Sequence, residues 1–259
     1  MPIDVQAIRR QFPLLENSGL TYLDSAATAQ KPEVVLQAME TFYRTQNGNA
    51  HRGMHPLAEA ATGVLEGARE RVKKFLNAQS IEEVIFTKSG TESVNLVSHA
   101  LGKNCHAGDA IVTTVLEHHS NIIPWQQLQE KGIEVRWVPC NEEGTLDLSV
   151  LEKHLNDGKV KLVAVTAQSN VLGVRPDLEM IIRMAHKAGA LVLVDAAQSI
   201  AHMQTDVQKL DCDFLTFSAH KLYGPLGIGV LYGKKKLLND MSPFLGGGMM
   251  IREVTQNGF

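Results

Sequence analysis

From Glu83 onward, short apolar runs alternate with longer amphipathic segments. The runs are Val84-Ile85-Phe86, Ala110-Ile111-Val112, Val135-Arg136-Trp137-Val138, Leu162-Val163-Ala164-Val165, Leu191-Val192-Leu193-Val194, Phe214-Leu215-Thr216-Phe217 and Ile228-Gly229-Val230-Leu231. Each has strand length and is rich in β-branched or aromatic residues. Segments of helix length, such as 91–101 and 178–187, separate most of them. Near-continuous apolar strands alternating with helices predict an α/β fold: a mostly parallel sheet of about seven strands with helices on both faces. The last two runs are joined by a Gly-rich stretch without a helix, which predicts a local antiparallel step. The first 80 residues read as helical. Helices are expected over 3–12, stopped at Pro13, from Pro32 toward Tyr43, and over 57–76.

Composition narrows the setting. The 259 residues suit one large domain, and 44% hydrophobic with 20% charged residues is ordinary for a soluble globular chain. A net charge of -3, scattered along the chain, predicts neither nucleic acid nor a membrane surface as partner. The triplet Lys234-Lys235-Lys236 reads as a solvated turn. Met1-Pro2-Ile3-Asp4 does not look like a secretory leader, and no apolar run approaches the ~20 residues that span a bilayer. Three dispersed cysteines (Cys105, Cys140, Cys212) suit neither a disulfide framework nor a thiolate metal site, so a reducing, cytoplasmic location is expected.

In sheets of this kind ligands sit beyond the carboxyl ends of the strands. Here those ends are polar: Ser89-Gly90-Thr91-Glu92, Glu117-His118-His119-Ser120-Asn121, Ser169-Asn170, Asp195-Ala196-Ala197-Gln198 and Ser218-Ala219-His220-Lys221. Asp195, desolvated at a strand end, wants a positive partner, and a protonated pyridine nitrogen is one. Taken alone it reads equally as a helix cap. Lys221 after a buried strand loses its proton more easily and suits a Schiff-base nucleophile, although alone it reads as a turn lysine. Ser89-Gly90-Thr91-Glu92 before a helix offers amides and a hydroxyl to a phosphate; the same letters make an ordinary cap. Ser218 and His220 could add donors. His118 could stack on a flat ring and move protons. Asn170 and Gln198 could bond ring substituents, or be turn residues. The order of these groups at successive strand ends argues for one shared cleft.

These residues carry a family resemblance. The chain resembles the group II cysteine desulfurases (SufS/CsdA type), class V aminotransferase-like members of the fold-type I enzymes that use pyridoxal 5′-phosphate (PLP). The matches are Tyr22-Leu23-Asp24-Ser25-Ala26-Ala27, His51-Arg52-Gly53, Thr91-Glu92 with Asn95-Leu96-Val97, Glu117 through Trp125, Ser169-Asn170-Val171-Leu172-Gly173, Val194-Asp195-Ala196-Ala197-Gln198, Ser218-Ala219-His220-Lys221-Leu222-Tyr223-Gly224-Pro225 and Gly246-Gly247-Gly248. The resemblance implies that Lys221 carries the cofactor as a Schiff base and that His118 stacks on its ring and assists catalysis. It implies that Asp195 pairs with the ring nitrogen, that Gln198 contacts the ring oxygen, and that Thr91, Ser218 and His220 hold the phosphate. Asn170 would lie near substrate and cofactor, with His51 and Arg52 near the substrate entrance. The implied reaction converts L-cysteine to L-alanine and passes persulfide sulfur toward iron–sulfur cluster or sulfur-cofactor assembly. The implied partners are a second copy of the chain in a homodimer and a SufE/CsdE-type sulfur acceptor.

Departures from the family pattern set further expectations. Lys88-Ser89-Gly90-Thr91-Glu92 has glycine where relatives usually have a threonine, which predicts weaker phosphate binding. Alanine stands at Ala196 and Ala219, where relatives have glycine. In relatives a smaller C-terminal domain carries the sulfur-accepting cysteine and the arginine for the substrate carboxylate. Residues 1–259 are therefore expected to be a PLP-binding large domain with an N-terminal helical segment, the small domain being absent. Selenocysteine lyase, acting on L-selenocysteine, another class V PLP lyase, or a non-catalytic truncated remnant, either a gene fragment or a dimer partner of a full-length relative, are the alternatives. Ser218-x-x-Lys221 follows a strand instead of opening a helix, which disfavours an acyl-enzyme serine. Gly53 and Pro56 disfavour a helical His51/His55 zinc pair, no metal site is expected, and no dinucleotide fingerprint follows the first strand.

Overall fold

Seven strands form one sheet in the computed structural model, which describes residues 3–248, 250, 253–256 and 258. They are β1 (Val84–Thr87), β2 (Ala110–Thr114), β3 (Glu134–Val138), β4 (Val160–Thr166), β5 (Leu191–Asp195), β6 (Phe214–Ser218) and β7 (Gly229–Gly233), in the order β1-β7-β6-β5-β4-β2-β3. Strands β2 to β6 pair in parallel, and β7 runs antiparallel to both β6 and β1. The expected antiparallel step is therefore present.

Successive strand residues point to opposite faces. Val112, Val163, Val165, Val192, Val194, Leu215 and Phe217 build one buried layer with Leu151, Ile181, Ile182 and Ala185 of helices Leu148–Leu155 and Leu178–Lys187. Ile111, Leu162, Ala164, Leu193, Phe214 and Leu231 build the other, covered by Val94 and Val97 of helix Gly90–Asn104 and by Trp125. Burying each such large side chain contributes roughly 1.5–3 kcal/mol, so both layers fix the strand register firmly.

The connection after β2 leads to β3 on one side, and that after β4 leads to β5 on the other. The seam between β2 and β4 is thus a switch point, where open sheets of this type leave a crevice. The β2–β4 register ends at Val112↔Val163, while β4–β5 pairing continues to Thr166↔Asp195.

The N-terminal region differs from expectation in one place. The first helix spans only Val5–Arg9, capped by the Asp4 carboxylate on the Ala7 amide. Pro13 then opens a second helix, Pro13–Ser18, at a position where its missing N–H leaves no bond unmade. Helices Glu33–Thr45 and Pro56–Leu76 follow close to expectation. No helix among the described residues is long and apolar enough to cross a membrane.

Candidate active site

Strand parity brings the polar ends together. Leu193, Phe214 and Leu162 lie in the layer under helix Gly90–Asn104. Two-residue steps from them put Asp195, Ser218 and Thr166 on that same face, at the carboxyl ends of their strands. A cleft of about 490 Å³ opens there, lined by Thr91, His118, Asn170, Asp195, Gln198, Ser218, His220 and Lys221 among others. Every residue expected to hold the cofactor lines it. His51 and Arg52 do not. His51 turns away, its Nε2 3.2 Å from Glu66 on helix Pro56–Leu76, and Arg52 lies beside Gly248.

Two groups dominate the electrostatics. The Lys221 Nζ makes no hydrogen bond or ion pair among the described residues, and burial pushes its pKa down against the opposing pull of Asp195. Asp195 is buried, which pushes its carboxyl pKa up; the Ala197 amide, donating to Oδ1 at 2.9 Å, and the nearby Lys221 act the other way. Its Oδ2 has no hydrogen-bond partner among the described residues. A half-desolvated amine and a buried acid that make no ion-pair contact among the described residues therefore face one space.

Another part of the cleft wall offers donors that suit an anion. Gly90 and Thr91 begin helix Gly90–Asn104, whose amides and dipole favour negative charge. The Gly90 amide donates to Ser218 Oγ at 2.8 Å, which leaves the hydroxyl hydrogen of Ser218 for another acceptor. The Thr91 hydroxyl has no hydrogen-bond partner among the described residues. The glycine at position 90 has a packing reason: a Cβ there would lie 3.2 Å from Ser218 Oγ. Gly229, register partner of Ser218, brings β7 closer still, since its Cβ would fall 2.3 Å from the Ser89 carbonyl carbon.

The histidines are held by defined partners. His118 Nδ1 accepts the Ser120 amide at 3.1 Å and lies 2.8 Å from Ser120 Oγ, so the neutral ring carries its proton on Nε2. Burial, then Lys221, lowers the His118 pKa. His220 Nδ1 lies 3.1 Å from Thr28 Oγ1, and its carbonyl accepts the Ala29 amide at 2.9 Å. Gln198 Nε2 donates to Ala26 O at 2.9 Å.

Two features in and beside the cleft had no assigned role in the sequence. Asp24, Ala26 and Ala27 line it, in a loop braced by Tyr22, whose hydroxyl donates to Thr28 O at 2.7 Å. The resemblance covered this segment, but no periodicity marked it as part of the site. The second is Glu117, buried beside His118. Its signal was a carboxylate directly behind an apolar strand, a place where a charge needs partners.

Three comparisons bear on this geometry. The family described as aminotransferase class-V matches residues 21–259. A cysteine desulfurase of Pectobacterium carotovorum is 49% identical over 98% of this chain and 64% of its own length. The crystal structure of the cysteine desulfurase CsdA (S-sulfonic acid) from Escherichia coli superposes with a TM-score of 0.90 at 44% identity, covering 100% of this chain and 65% of that one. The apo structure of the cysteine desulfurase from Thermococcus onnurineus NA1 gives a TM-score of 0.93 at 42% identity, over 100% of this chain and 64% of that one. The chain thus spans under two thirds of the length of these relatives. With a match over nearly all of its length, and a cleft at the expected strand ends, the chain belongs to the aminotransferase class-V family.

Proposed function

We propose that this cleft binds PLP through Lys221 and serves a cysteine desulfurase, with L-cysteine as substrate. The observation that carries the reading is the pair Lys221 and Asp195, an amine without a hydrogen bond and a buried acid without an ion-pair contact among the described residues, sharing one cleft with an anion-ready helix end. The residues fit the group. Asp195 Oδ2 suits a ring N–H, while Thr91, Ser218 and the helix amides suit a phosphate. Gln198, Asn170 and His118 line the same cleft. When bound, PLP supplies an aldehyde that reacts with amines and a ring that withdraws electrons from the attached carbon.

The chain's own groups account for the remaining chemistry. Burial keeps a fraction of Lys221 neutral, as a nucleophile and as a base must be. His118, with its proton on Nε2 and a lowered pKa, is neutral near pH 7 and suits stacking and proton transfer. Asp195 holds negative charge at the ring edge, where a cationic partner offsets its burial. Among the three cysteines none lines the cleft, and burial pushes the Cys212 thiol up to about 12. The sulfur-accepting thiol is assigned to none of them. A homodimer and a SufE/CsdE-type acceptor belong to the same proposal, as does a cytoplasmic location.

The test is PLP added to the purified chain. A visible absorption band is expected that borohydride abolishes, with the label mapped to Lys221. A Lys221→Ala variant that takes up PLP in the same reducible form overturns the reading. Release of alanine from L-cysteine, compared with L-selenocysteine, then separates desulfurase from selenocysteine lyase.

A further inference from the structure

The buried carboxylate of Glu117 closes the seam between β2 and β4. Its Oε1 accepts the Thr166 amide at 2.9 Å and the Thr114 hydroxyl at 2.6 Å, and its Oε2 accepts Asn121 Nδ2 at 2.7 Å. Asn121 Oδ1 in turn accepts the indole N–H of Trp125 at 3.1 Å, and the Asn121 amide donates to the His118 carbonyl at 2.8 Å. Asn121 and Trp125 are fully buried. Thr166 is the register partner of Asp195, and its hydroxyl bonds Gln168 O at 2.9 Å. One side chain therefore ties the turn that carries His118 to the strand end beside Asp195, where β2 itself supplies no ladder bond.

We propose that Glu117 is a positioning residue for the cofactor: it fixes the His118 imidazole relative to Asp195, so that the two act on the same ring from face and edge. The inference rests on PLP occupying the cleft. It extends that reading to a group outside the cleft lining, acting through His118. The geometry also predicts how the site fails. In Glu117→Gln the new NH2 faces either the Thr166 amide or Asn121 Nδ2, and turning Asn121 over only brings its Nδ2 against the Trp125 N–H. One buried donor is stranded either way.

The experiment is PLP titration of the wild-type chain, Glu117→Gln, His118→Ala and the double variant. It reads the dissociation constant and the visible circular dichroism per bound PLP. Glu117→Gln is expected to weaken PLP binding up to roughly tenfold, the scale of one stranded buried hydrogen-bond donor, and to lower the dichroism per bound PLP. The double variant is expected to bind no more weakly than His118→Ala, because Glu117 acts through that ring. Unchanged binding and dichroism in Glu117→Gln, or single losses that multiply in the double variant, overturn the proposal while leaving PLP binding itself standing. Absence of PLP uptake by the wild type overturns both. If Glu117→Gln does not fold, Thr114→Val removes one donor to the same carboxylate and enters the same comparison, with a smaller loss of the same sign.

Discussion

Asp195 and Lys221 support each other's charge across the cleft against burial. Burial drives the acid's pKa up and the amine's down, and each side chain partly reverses the shift of the other. Removing the acid therefore leaves burial of the amine unopposed. In Asp195→Asn, Lys221 is expected to be less protonated near neutral pH and to be acetylated faster by acetic anhydride in the chain without PLP. PLP binding is expected to weaken at the same time. Peptide mapping of acetylated Lys221 against exposed Lys88 reads the first effect; an unchanged ratio contradicts the coupling.

Glu117 predicts a pH dependence of stability. Burial pushes its pKa up to about 8, above the ordinary carboxylate value, against the donors of Thr114, Asn121 and Thr166. The Thr114 hydroxyl is the partner able to reverse, since it can accept a proton as well as donate one. A folded-state pKa above the unfolded one means that the folded chain binds the proton more tightly. This contribution is complete at acid pH and is lost as pH rises from about 4.5 toward about 8. Its size is at most on the order of 5 kcal/mol, and Asp195, shifted in the same direction, adds with the same sign. Urea unfolding at stepped pH is expected to show a flatter profile in Glu117→Gln than in the wild type.

The sheet was readable from the chain because both its faces are buried: Leu162 to Val165 of β4 and Leu191 to Val194 of β5 are unbroken apolar runs. Pro13 was misread because proline ends and begins helices by the same restriction of φ, and only the Asp4 cap and the turn after Arg9 show which applies. The residues that line the cleft were legible as a set because strand ends converge by topology. Glu117 was not, since its decisive partner Thr166 stands 49 residues away. The loop at Asp24 to Thr28 joins the site through contacts with Gln198 and His220 that no local pattern announces.

Ser218→Ala is expected to orphan the Gly90 amide at the start of the cleft helix. The cost is about 1 kcal/mol of stability, together with weaker PLP binding from loss of the hydroxyl. Thermal unfolding without PLP and titration with PLP separate the two effects. Equal PLP affinity in the variant contradicts a phosphate role for Ser218.

Gly229→Ala and Gly63→Ala are expected to change stability in opposite directions. The Cβ at 229 would overlap the Ser89 backbone and force β7 away from the helix start, costing ~1–3 kcal/mol or more. Gly63 lies in helix Pro56–Leu76 with nothing within 4 Å of an added Cβ, so alanine there stabilises by up to ~1 kcal/mol. Denaturant midpoints of the two variants check the pair.

The parting of β2 from β4 has a consequence for how such a cleft is tuned. Where neighbouring strands stay laddered, their spacing is fixed by peptide geometry. At this gap it is set by the reach of one carboxyl side chain to Thr166. The distance between a flat imidazole and an acid thereby becomes an adjustable dimension, open to substitution at a single codon while the rest of the sheet keeps its register.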